Sequence, residues 1–294
     1  MSAAMQVAGP DWELDYYSRP ILEADGKKRW ELLICSTATS QAPAVPFRWV
    51  RDCPASSVNS QWLRGAIEAA LEASAEQGYG PPRRLRCWRG SMRTMVQRAA
   101  EGLGLELVPS RRCYGLVEWL QERQMNVYPL EPGYMAGPLA PAPQPIPPVA
   151  VPLPEAARGD SWSWATLSAE ALSEAAGWEI AFPGLVALPA QLDPTTPVPG
   201  IRLFSRRRAL AIAGWLSGLE PVRLEVCSGQ LVLEAGLEDR WILARLPEQE
   251  AQAAAAALAQ ARERAGGLQF IAIQASEEAP ALDGFWLLRD LPDG

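Results

Sequence analysis

Arginine is concentrated in one segment of this chain. Between residues 83 and 112 there are eight arginines and only two glutamates. Guanidinium groups bind phosphates through paired hydrogen bonds, and a neighbouring indole ring offers a surface on which an unpaired base can stack. The segment therefore predicts a contact site for a single-stranded nucleic acid. The residues proposed for this site are Arg83, Arg84, Arg86, Trp88, Arg89, Arg93, Arg111 and Arg112.

A structural interpretation of the same residues stays open. The arginines could pair with surface carboxylates, and Trp88 could belong to the core. The chain has twelve tryptophans, most of which must be buried because water does not tolerate so many exposed indole rings. Strand alternation would place Leu85 and Cys87 on one face and Arg84, Arg86 and Trp88 on the other.

A second arginine cluster lies later in the chain. Ser205 is predicted to cap a helix that begins with Arg206, Arg207 and Arg208 and runs to Gly218. Positive charge is unfavourable at a helix N-terminus, so three arginines there indicate an anionic partner, and we include them among the RNA-binding residues. A cluster of ion pairs would explain the arginines equally well.

The composition argues against most catalytic chemistry. Histidine is absent, Lys27 and Lys28 are the only lysines, and no glycine-rich phosphate loop is present. The five cysteines form no C-x-x-C pair, so neither a disulfide framework nor a metal site is predicted, and no cofactor is expected. The net charge of −7 is unevenly distributed along the chain. Residues 1–128 hold 16 basic and 14 acidic residues, whereas residues 129–294 hold 11 basic and 20 acidic residues. We therefore predict a non-catalytic protein with a local basic surface.

The first domain, predicted over residues 1–128, has α/β character. Its predicted strands cover residues 12–20, 29–36, 47–50, 85–88 and 105–108, and its helices begin after Asn59, after Ser91 and near Leu116. Asp25-Gly26 supplies the turn of an opening hairpin. The order β-β-β-α-β-α-β-α implies a mixed sheet with the topology of ribonuclease H-like domains.

That topology raises an enzymatic alternative. Ribonuclease H-like folds can hold two metal ions between carboxylates, and Glu13, Asp15 and Glu68 are the available acids. The strand that should supply another acid carries Arg86 instead, and a guanidinium group would repel metal ions. A metal-dependent nuclease is therefore the less favoured interpretation, and Asp15 is interpreted instead as a solvated strand acid or an arginine partner.

A proline-rich segment separates two parts of the chain. Residues 129–158 are predicted to form an extended linker, because this density of proline excludes helix interiors and central strands. A smaller α+β domain is predicted over residues 159–294. Its predicted elements are a helix over 162–176, an extended segment over 179–188, the helix after Ser205, a meander of strands at 222–226, 230–234 and 240–246, a helix over 247–265 and strands at 268–274 and 282–290.

The two ends of the chain resemble a known family. The motifs are W-E-L-D-Y-Y-S-R-P-I-L from Trp12, K-K-R-W-E-L-L-I-C from Lys27, V-N-S from Val58 and G-F-W-L-L-R-D from Gly284. They are similar to those of the Tab-type RNA-binding proteins of cyanobacteria and chloroplasts, which act in translation of the messenger for a photosystem I reaction-centre protein. The resemblance spans nearly the whole chain.

The resemblance implies a function and a further motif. It implies binding to a single-stranded, A/U-rich mRNA leader, with roles in translation and photosystem I biogenesis; a protein-docking factor for photosystem assembly is the alternative. Phe285, Trp286, Leu287 and Leu288 match the family's C-terminal motif. They could form an exposed anchor for a partner or the last strand of the core.

Localisation and partners follow as expectations. The chain has neither an apolar run of spanning length nor a signal-like N-terminus, so membrane insertion is not expected. The segment before Trp12 is too short for a plastid transit peptide. This favours a location in the cytoplasm of a cyanobacterium, near the thylakoids. Partners beyond RNA would be translation or photosystem assembly proteins, and the sequence leaves the oligomeric state open.

Overall fold

The structure is a computed structural model that describes residues 11–37, 46–136, 148–189 and 192–290. The chain divides into two compact units, and the division falls between residues 144 and 145. Both units mix helices with strands, so the predicted α/β character is confirmed. Part of the proline-rich segment, residues 137–147, lies outside the described residues.

The first unit has five strands and three helices among its described residues. In chain order they are β1 (Trp12–Leu22), β2 (Lys28–Ser36), β3 (Arg48–Cys53), α1 (Ser60–Glu76), β4 (Arg84–Cys87), α2 (Arg93–Glu101), β5 (Glu106–Pro109) and α3 (Tyr114–Asn126). The sheet order is β3-β2-β1-β4-β5, in which the first three strands are antiparallel and β4 and β5 run parallel to β1.

Local sequence signals explain several boundaries in this unit. Gly26 has a φ of +79°, which glycine adopts without strain, and the turn joins β1 to β2 as predicted. The Asn59 side chain accepts a hydrogen bond of 2.9 Å from the Trp62 amide, so the predicted cap of α1 is confirmed. The predicted cap at Ser91 is wrong, because a short 3-10 turn at Gly90–Met92 precedes α2.

Strand alternation divides the apolar residues of this sheet between two cores. Trp12, Leu14 and Tyr16 face α1 and α2, whereas Leu33 and Cys35 face α3. The sheet therefore lies between helices on both faces. Its inner strand β1 contributes side chains to either side.

The second unit has nine strands and three helices within the part of the chain that the structure describes. In chain order they are β6 (Val151–Pro152), β7 (Ser161–Ser168), α4 (Ala169–Ser173), β8 (Ile180–Gly184), β9 (Pro197–Phe204), α5 (Ala209–Leu219), β10 (Pro221–Cys227), β11 (Gln230–Ala235), β12 (Asp239–Arg245), α6 (Glu248–Arg264), β13 (Leu268–Gln274) and β14 (Leu282–Arg289). This unit mixes helices with strands, and its strands form two sheets.

One sheet has the order β10-β11-β12-β6 and the other β7-β9-β13-β14-β8. Strands β10, β11 and β12 form the predicted antiparallel meander, which is confirmed. The two sheets, α5 and α6 share one apolar core, in which Ile212, Leu233, Leu258 and Trp286 are buried. The opposite face of the five-stranded sheet carries Phe270 and Phe285, whose rings stack at 5.5 Å.

Two predictions about this unit are wrong. Residues 162–176 do not form one helix, because the alternating S-W-S-W-A-T-L-S run of β7 fits a strand and α4 begins only after Ser168, which caps it. Ser205 does not cap α5, which begins at Ala209 after a turn that contains the three arginines. Strand β9 was not predicted, because its Pro197, Pro199 and Gly200 resemble a loop.

Candidate nucleic-acid interface

Strand β4 carries the centre of the predicted arginine site. It pairs in parallel with β1 and β5, and Glu13 lies opposite Arg86. Leu85 and Cys87 enter the core beneath α1 and α2, as alternation predicted. The Arg86 guanidinium lies on the other side of the sheet, where it donates a hydrogen bond of 3.2 Å to Thr37.

Three arginines converge on the carboxylate of Asp11. Arg84 Nη2 lies 2.6 Å and Arg86 Nη1 3.1 Å from Asp11 Oδ2, and Arg83 Nε lies 3.8 Å from Oδ1. Asp11 thus lies among three arginines, one of which, Arg86, also lies opposite Glu13 on β1. The Arg83 side chain is the member that remains largely in solvent.

The arginines of the predicted site differ in exposure. Arg86 and Arg112 are each only 6% exposed, so their charges lie inside the fold. The Arg112 guanidinium lies 5.7 Å from the ring centroid of Tyr114. Arg111 is half-buried, whereas Arg83 and Arg93 are exposed. For the Arg93 side chain the described residues provide neither an ion pair nor a hydrogen bond, so it is available to a ligand.

Asp15, in the first half of β1, organises a second group of cations. Its Oδ2 accepts a hydrogen bond of 2.7 Å from Arg19, and its Oδ1 accepts bonds from Arg89 and, at 3.0 Å, from the indole of Trp88. Burial alone would raise the pKa of Asp15, but the Arg19 and Arg89 guanidinium groups hold it below its ordinary value. Asp15 is therefore a fixed negative charge inside a basic group.

The same network continues to Glu31 on β2. Arg19 Nε lies 3.0 Å and Arg123 Nη2 2.9 Å from its two oxygens, and the Tyr128 hydroxyl donates a bond of 2.7 Å to it. Together with Asp15 and Arg89, this network holds three guanidinium groups and two carboxylates. Its net charge is therefore positive. We call these five charged residues the Asp15 network: Asp15, Arg19, Glu31, Arg89 and Arg123.

Arg89 is the member of the Asp15 network that reaches solvent furthest. Its side chain is 24% exposed, and its guanidinium carbon lies 4.1 Å from the ring centroid of Tyr17 and 4.6 Å from that of Trp88. Trp88 is half-buried against the core beneath α3. The indole of Trp88 is thus engaged by Asp15 and Arg89, which supports the structural interpretation more than a free stacking surface.

Glu13 has a different environment from Asp15, although both lie on β1. It is fully buried, and its Oε2 accepts a hydrogen bond of 2.8 Å from the Leu116 amide. Burial raises the pKa of Glu13 to about 7, and the Leu116 amide, Arg86 and Thr37 counteract part of that effect. Glu13 thus exchanges its proton near neutral pH inside the fold.

The acids considered for a metal-dependent nuclease serve other contacts. Asp15 is saturated by two arginines and an indole, and Glu68 pairs with Arg64 on the same helix at 3.2 Å. Across residues 11–37, 46–136, 148–189 and 192–290, no three acidic or cysteine side chains are grouped so as to hold a metal ion. Arg86 on β4 and Arg89 just after it occupy positions at which a metal centre would need acidic side chains.

The arginine turn of the second unit lies between β9 and α5. Arg208 donates to the carbonyl oxygens of Glu155 at 2.9 Å and Arg158 at 3.1 Å, which anchors the turn. Arg206 and Arg207 are exposed, and their side chains have neither ion pairs nor hydrogen bonds to the described residues. These two cations are therefore available to an anionic ligand.

The C-terminal motif is part of the core. Phe285, Trp286, Leu287 and Leu288 lie on β14, an inner strand, and each is at most 3% exposed. The alternative of an exposed anchor is therefore wrong. The Trp286 indole occupies space that a side chain on Gly184 or Gly284 would fill, since an added Cβ would lie 2.0 Å or 2.4 Å from the ring. These glycines allow the indole to lie flat on the sheet.

Sequence reasoning missed Asp11 and Glu31 as partners of the arginines. Period-two alternation along β1 places Glu13, Asp15, Tyr17 and Arg19 on one face, and this signal was present in the opening motif. No local signal connects Arg123 to Glu31, because the two are 92 residues apart. Among the described helices, none combines the length and apolar character needed to cross a membrane.

Comparison with known proteins supports the resemblance over both units. Residues 11–123 match the model of the "RNA-binding protein Tab2/Atab2 N terminal" family, and residues 140–289 match its C-terminal domain. The "Protein TAB2 homolog, chloroplastic" of Zea mays is 38% identical over 96% of this chain and 72% of its own length. The protein of the same description from Arabidopsis thaliana is 34% identical over 96% of this chain and 75% of its own length. The chain therefore belongs to the Tab2/Atab2 family of RNA-binding proteins.

Proposed function

We propose that this protein is a non-catalytic factor that binds single-stranded, A/U-rich RNA and promotes translation of a photosystem I reaction-centre mRNA. The observation that carries the proposal is the match of both units to RNA-binding family models. The chloroplast location in the relatives' names fits a role in photosystem biogenesis. In a cyanobacterium the protein would act in the cytoplasm or at the thylakoid surface, together with translation or photosystem assembly proteins.

The charge distribution of the first unit supports an anionic ligand. Arg83, Arg84 and Arg86 lie around Asp11, and the Asp15 network holds three arginines and two acids. Such surplus charge attracts a polyanion even though the whole chain has a net charge of −7. The proposed phosphate contacts are Arg83, which lies exposed beside Asp11, and Arg93, which is exposed at the start of α2.

The non-catalytic part of the proposal rests on the ribonuclease H-like analogy. The strand order β3-β2-β1-β4-β5, with β4 and β5 parallel to β1, is consistent with that topology. In a nuclease of this architecture, carboxylates would gather at the ends of β1 and β4 to hold metal ions. Here Arg86 and Arg89 face Glu13 and Asp15 at that position. We infer that guanidinium groups occupy the positions where a nuclease would hold metal ions.

RNA binding is tested with the double variant Arg83→Gln/Arg93→Gln. Both residues are exposed, so folding should be unaffected, and affinity for a labelled A/U-rich single strand should fall. The slope of log K against log salt should decrease by about 1.4, because each phosphate contact on a single strand contributes about 0.7. Fluorescence anisotropy at several salt concentrations measures both quantities.

The matched control is Arg64→Gln/Arg245→Gln, which removes the same charge from exposed positions elsewhere. Equal loss of affinity in the two double variants would show a general charge effect and refute the site. Failure of the unaltered protein to bind the RNA would refute the function itself. RNA cleaved by pure protein with Mg²⁺ or Mn²⁺ would overturn the non-catalytic assignment, and a G/C-rich competitor of equal potency would refute the A/U preference.

The role in translation needs a test in cells. Crosslinking followed by sequencing of the attached RNA should recover the leader of a photosystem I reaction-centre mRNA. Removal of the protein should lower ribosome occupancy on that messenger, while its abundance stays similar. Recovery of unrelated messengers alone would contradict the proposed target and leave RNA binding intact.

A further inference from the structure

An aromatic pair lies on the edge of the five-stranded sheet in the second unit. Trp162 and Trp164 are two residues apart on β7, so their side chains leave the same face of the strand. Their ring centroids are 5.1 Å apart, and the planes meet at 80°. Trp164 is 43% exposed and is the one aromatic residue among the large apolar side chains that are exposed in the described ranges.

The two rings have different roles in the fold. Trp162 lies opposite Leu203 on β9 and packs against the core of the second unit, which fixes its orientation. Trp164 lies opposite Ile201 and is held edge-to-face by the indole of Trp162. Trp164 is therefore an oriented ring with a large part of its surface in water. A ligand at this ring is therefore inferred from the charges beside the strand as well as from the exposure of the indole.

The arginine turn adjoins the beginning of the same strand. Ser161 pairs with Phe204, the last residue of β9, and the Asp160 amide donates to the Phe204 carbonyl at 2.7 Å. The Arg206 amide in turn donates to Asp160 Oδ2 at 2.9 Å. The turn that carries Arg206 and Arg207 is thus anchored at Asp160, four strand residues before Trp164, or roughly 13 Å along β7.

The charges around this edge favour an anionic occupant. Four arginines lie here, at positions 158, 206, 207 and 208, against the acids Glu155 and Asp160. Arg208 is held by carbonyl oxygens and lies 3.7 Å from Asp160, while the Arg206 and Arg207 side chains point to no acid in the described chain. An apolar peptide would gain nothing from these cations, whereas an unpaired nucleotide strand offers both a base to stack and phosphates to pair.

We propose that Trp164, oriented by Trp162, is a base-stacking platform for single-stranded RNA, and that Arg206 and Arg207 bind the flanking phosphates of the same strand. This inference rests on the proposed RNA-binding function and assigns a separate contact site to the second unit. Every base has a face that can stack, so this site recognises the unpaired state rather than the sequence. A duplex keeps its bases stacked internally and cannot use the platform.

The test compares Trp164→Ala with Trp164→Phe in the full chain. Loss of stacking on one base should weaken binding of a labelled oligouridine roughly 5- to 150-fold in Trp164→Ala, as expected from 1–3 kcal/mol per base. Trp164→Phe should retain most of the affinity. The salt slope should stay unchanged in both variants, whereas Arg206→Gln/Arg207→Gln should lower it by about 1.4. Val149→Ala, an exposed apolar residue of the same unit, is the control.

Each outcome has a definite meaning. Unchanged oligouridine affinity in Trp164→Ala, with binding by the unaltered protein, overturns this inference and leaves the proposed function intact. Equal losses for duplex RNA would also overturn it, because stacking requires an unpaired base. Intact RNA affinity with loss of self-association would identify the ring pair as a protein contact. No RNA binding by the unaltered protein would refute the proposed function and this inference together.

Discussion

Arginine occupies two contrasting environments in this protein. In the first unit, Arg19, Arg86 and Arg89 reach buried or half-buried carboxylates and help to hold strands together. In the second unit, Arg206 and Arg207 leave an anchored turn into solvent without such partners among the described residues. A cation that completes a buried pair stabilises the fold, whereas one that lacks a partner is free to bind a ligand. Stability and RNA affinity should therefore respond to opposite sets of substitutions.

The largest effect on stability is expected from Asp15→Asn. The amide preserves shape but leaves the buried Arg19 and its neighbour Arg89 without their shared negative charge. Removing one partner of a buried ion pair commonly costs about 3–5 kcal/mol, and we expect a loss of this order in the free energy of unfolding. Urea denaturation at pH 7 measures it. Asp239→Asn, an exposed acid, should change stability by less than about 0.5 kcal/mol; a similarly small change in Asp15→Asn would show that the network is not structural.

Glu13→Gln should stabilise the protein at alkaline pH, whereas Asp15→Asn should destabilise it. Burial raises the Glu13 pKa from 4.5 to about 7, so the folded state binds this proton more tightly than the unfolded state does. Its contribution to stability is fully present below pH 4.5 and is lost as pH rises to about 7, a change on the order of 3 kcal/mol. The variant should thus be more stable than the natural protein at pH 8 and similar at pH 4.5. Thermal unfolding across this range checks the prediction, and parallel pH profiles of the two proteins would contradict it.

Asp15 sharpens this contrast because its pKa moves in the other direction. The folded value lies below the ordinary 3.8, so the contribution of Asp15 is present above pH 3.8 and is lost as pH falls through the folded value. Acidification should therefore weaken the Asp15 network while it favours protonated Glu13. The two carboxylates are two residues apart on one strand, and only their contacts distinguish them.

The smallest effect on stability is expected from Arg207→Gln. The comparison variant is Arg89→Gln, for which a larger loss is expected. Arg89 bonds to a fully buried carboxylate and stacks on two aromatic rings, so its loss should cost about 1–3 kcal/mol. Arg207 is exposed, and its loss should change the unfolding free energy by less than about 0.5 kcal/mol while the salt slope for single-stranded RNA decreases by about 0.7. Chemical denaturation and anisotropy performed on both variants give the comparison. Equal destabilisation would remove the distinction between the two environments.

Local signals were sufficient where the structure depends on neighbours in the chain. The Asp25-Gly26 turn, the Asn59 cap and the meander of β10, β11 and β12 follow from turn chemistry, capping and alternation. The same approach failed at residues 162–176, where helix propensity in the later residues obscured the alternation in the earlier ones. It also failed at β9, because prolines within a strand resemble a loop.

The amino-acid sequence by itself determined the family, the mixed α/β character, the first unit's order of elements and the positions at which arginine and tryptophan occur. Tertiary structure alone decided which arginines face acids, that Trp286 lies within the core, and that Trp164 is exposed on the strand at whose start the turn of Arg206 and Arg207 is anchored. The physical reason is distance along the chain: Arg84 and Asp11 are 73 residues apart, and Arg123 and Glu31 are 92 apart. A charge or an aromatic ring acquires its role from the groups that folding brings next to it, and residue type alone does not reveal those groups.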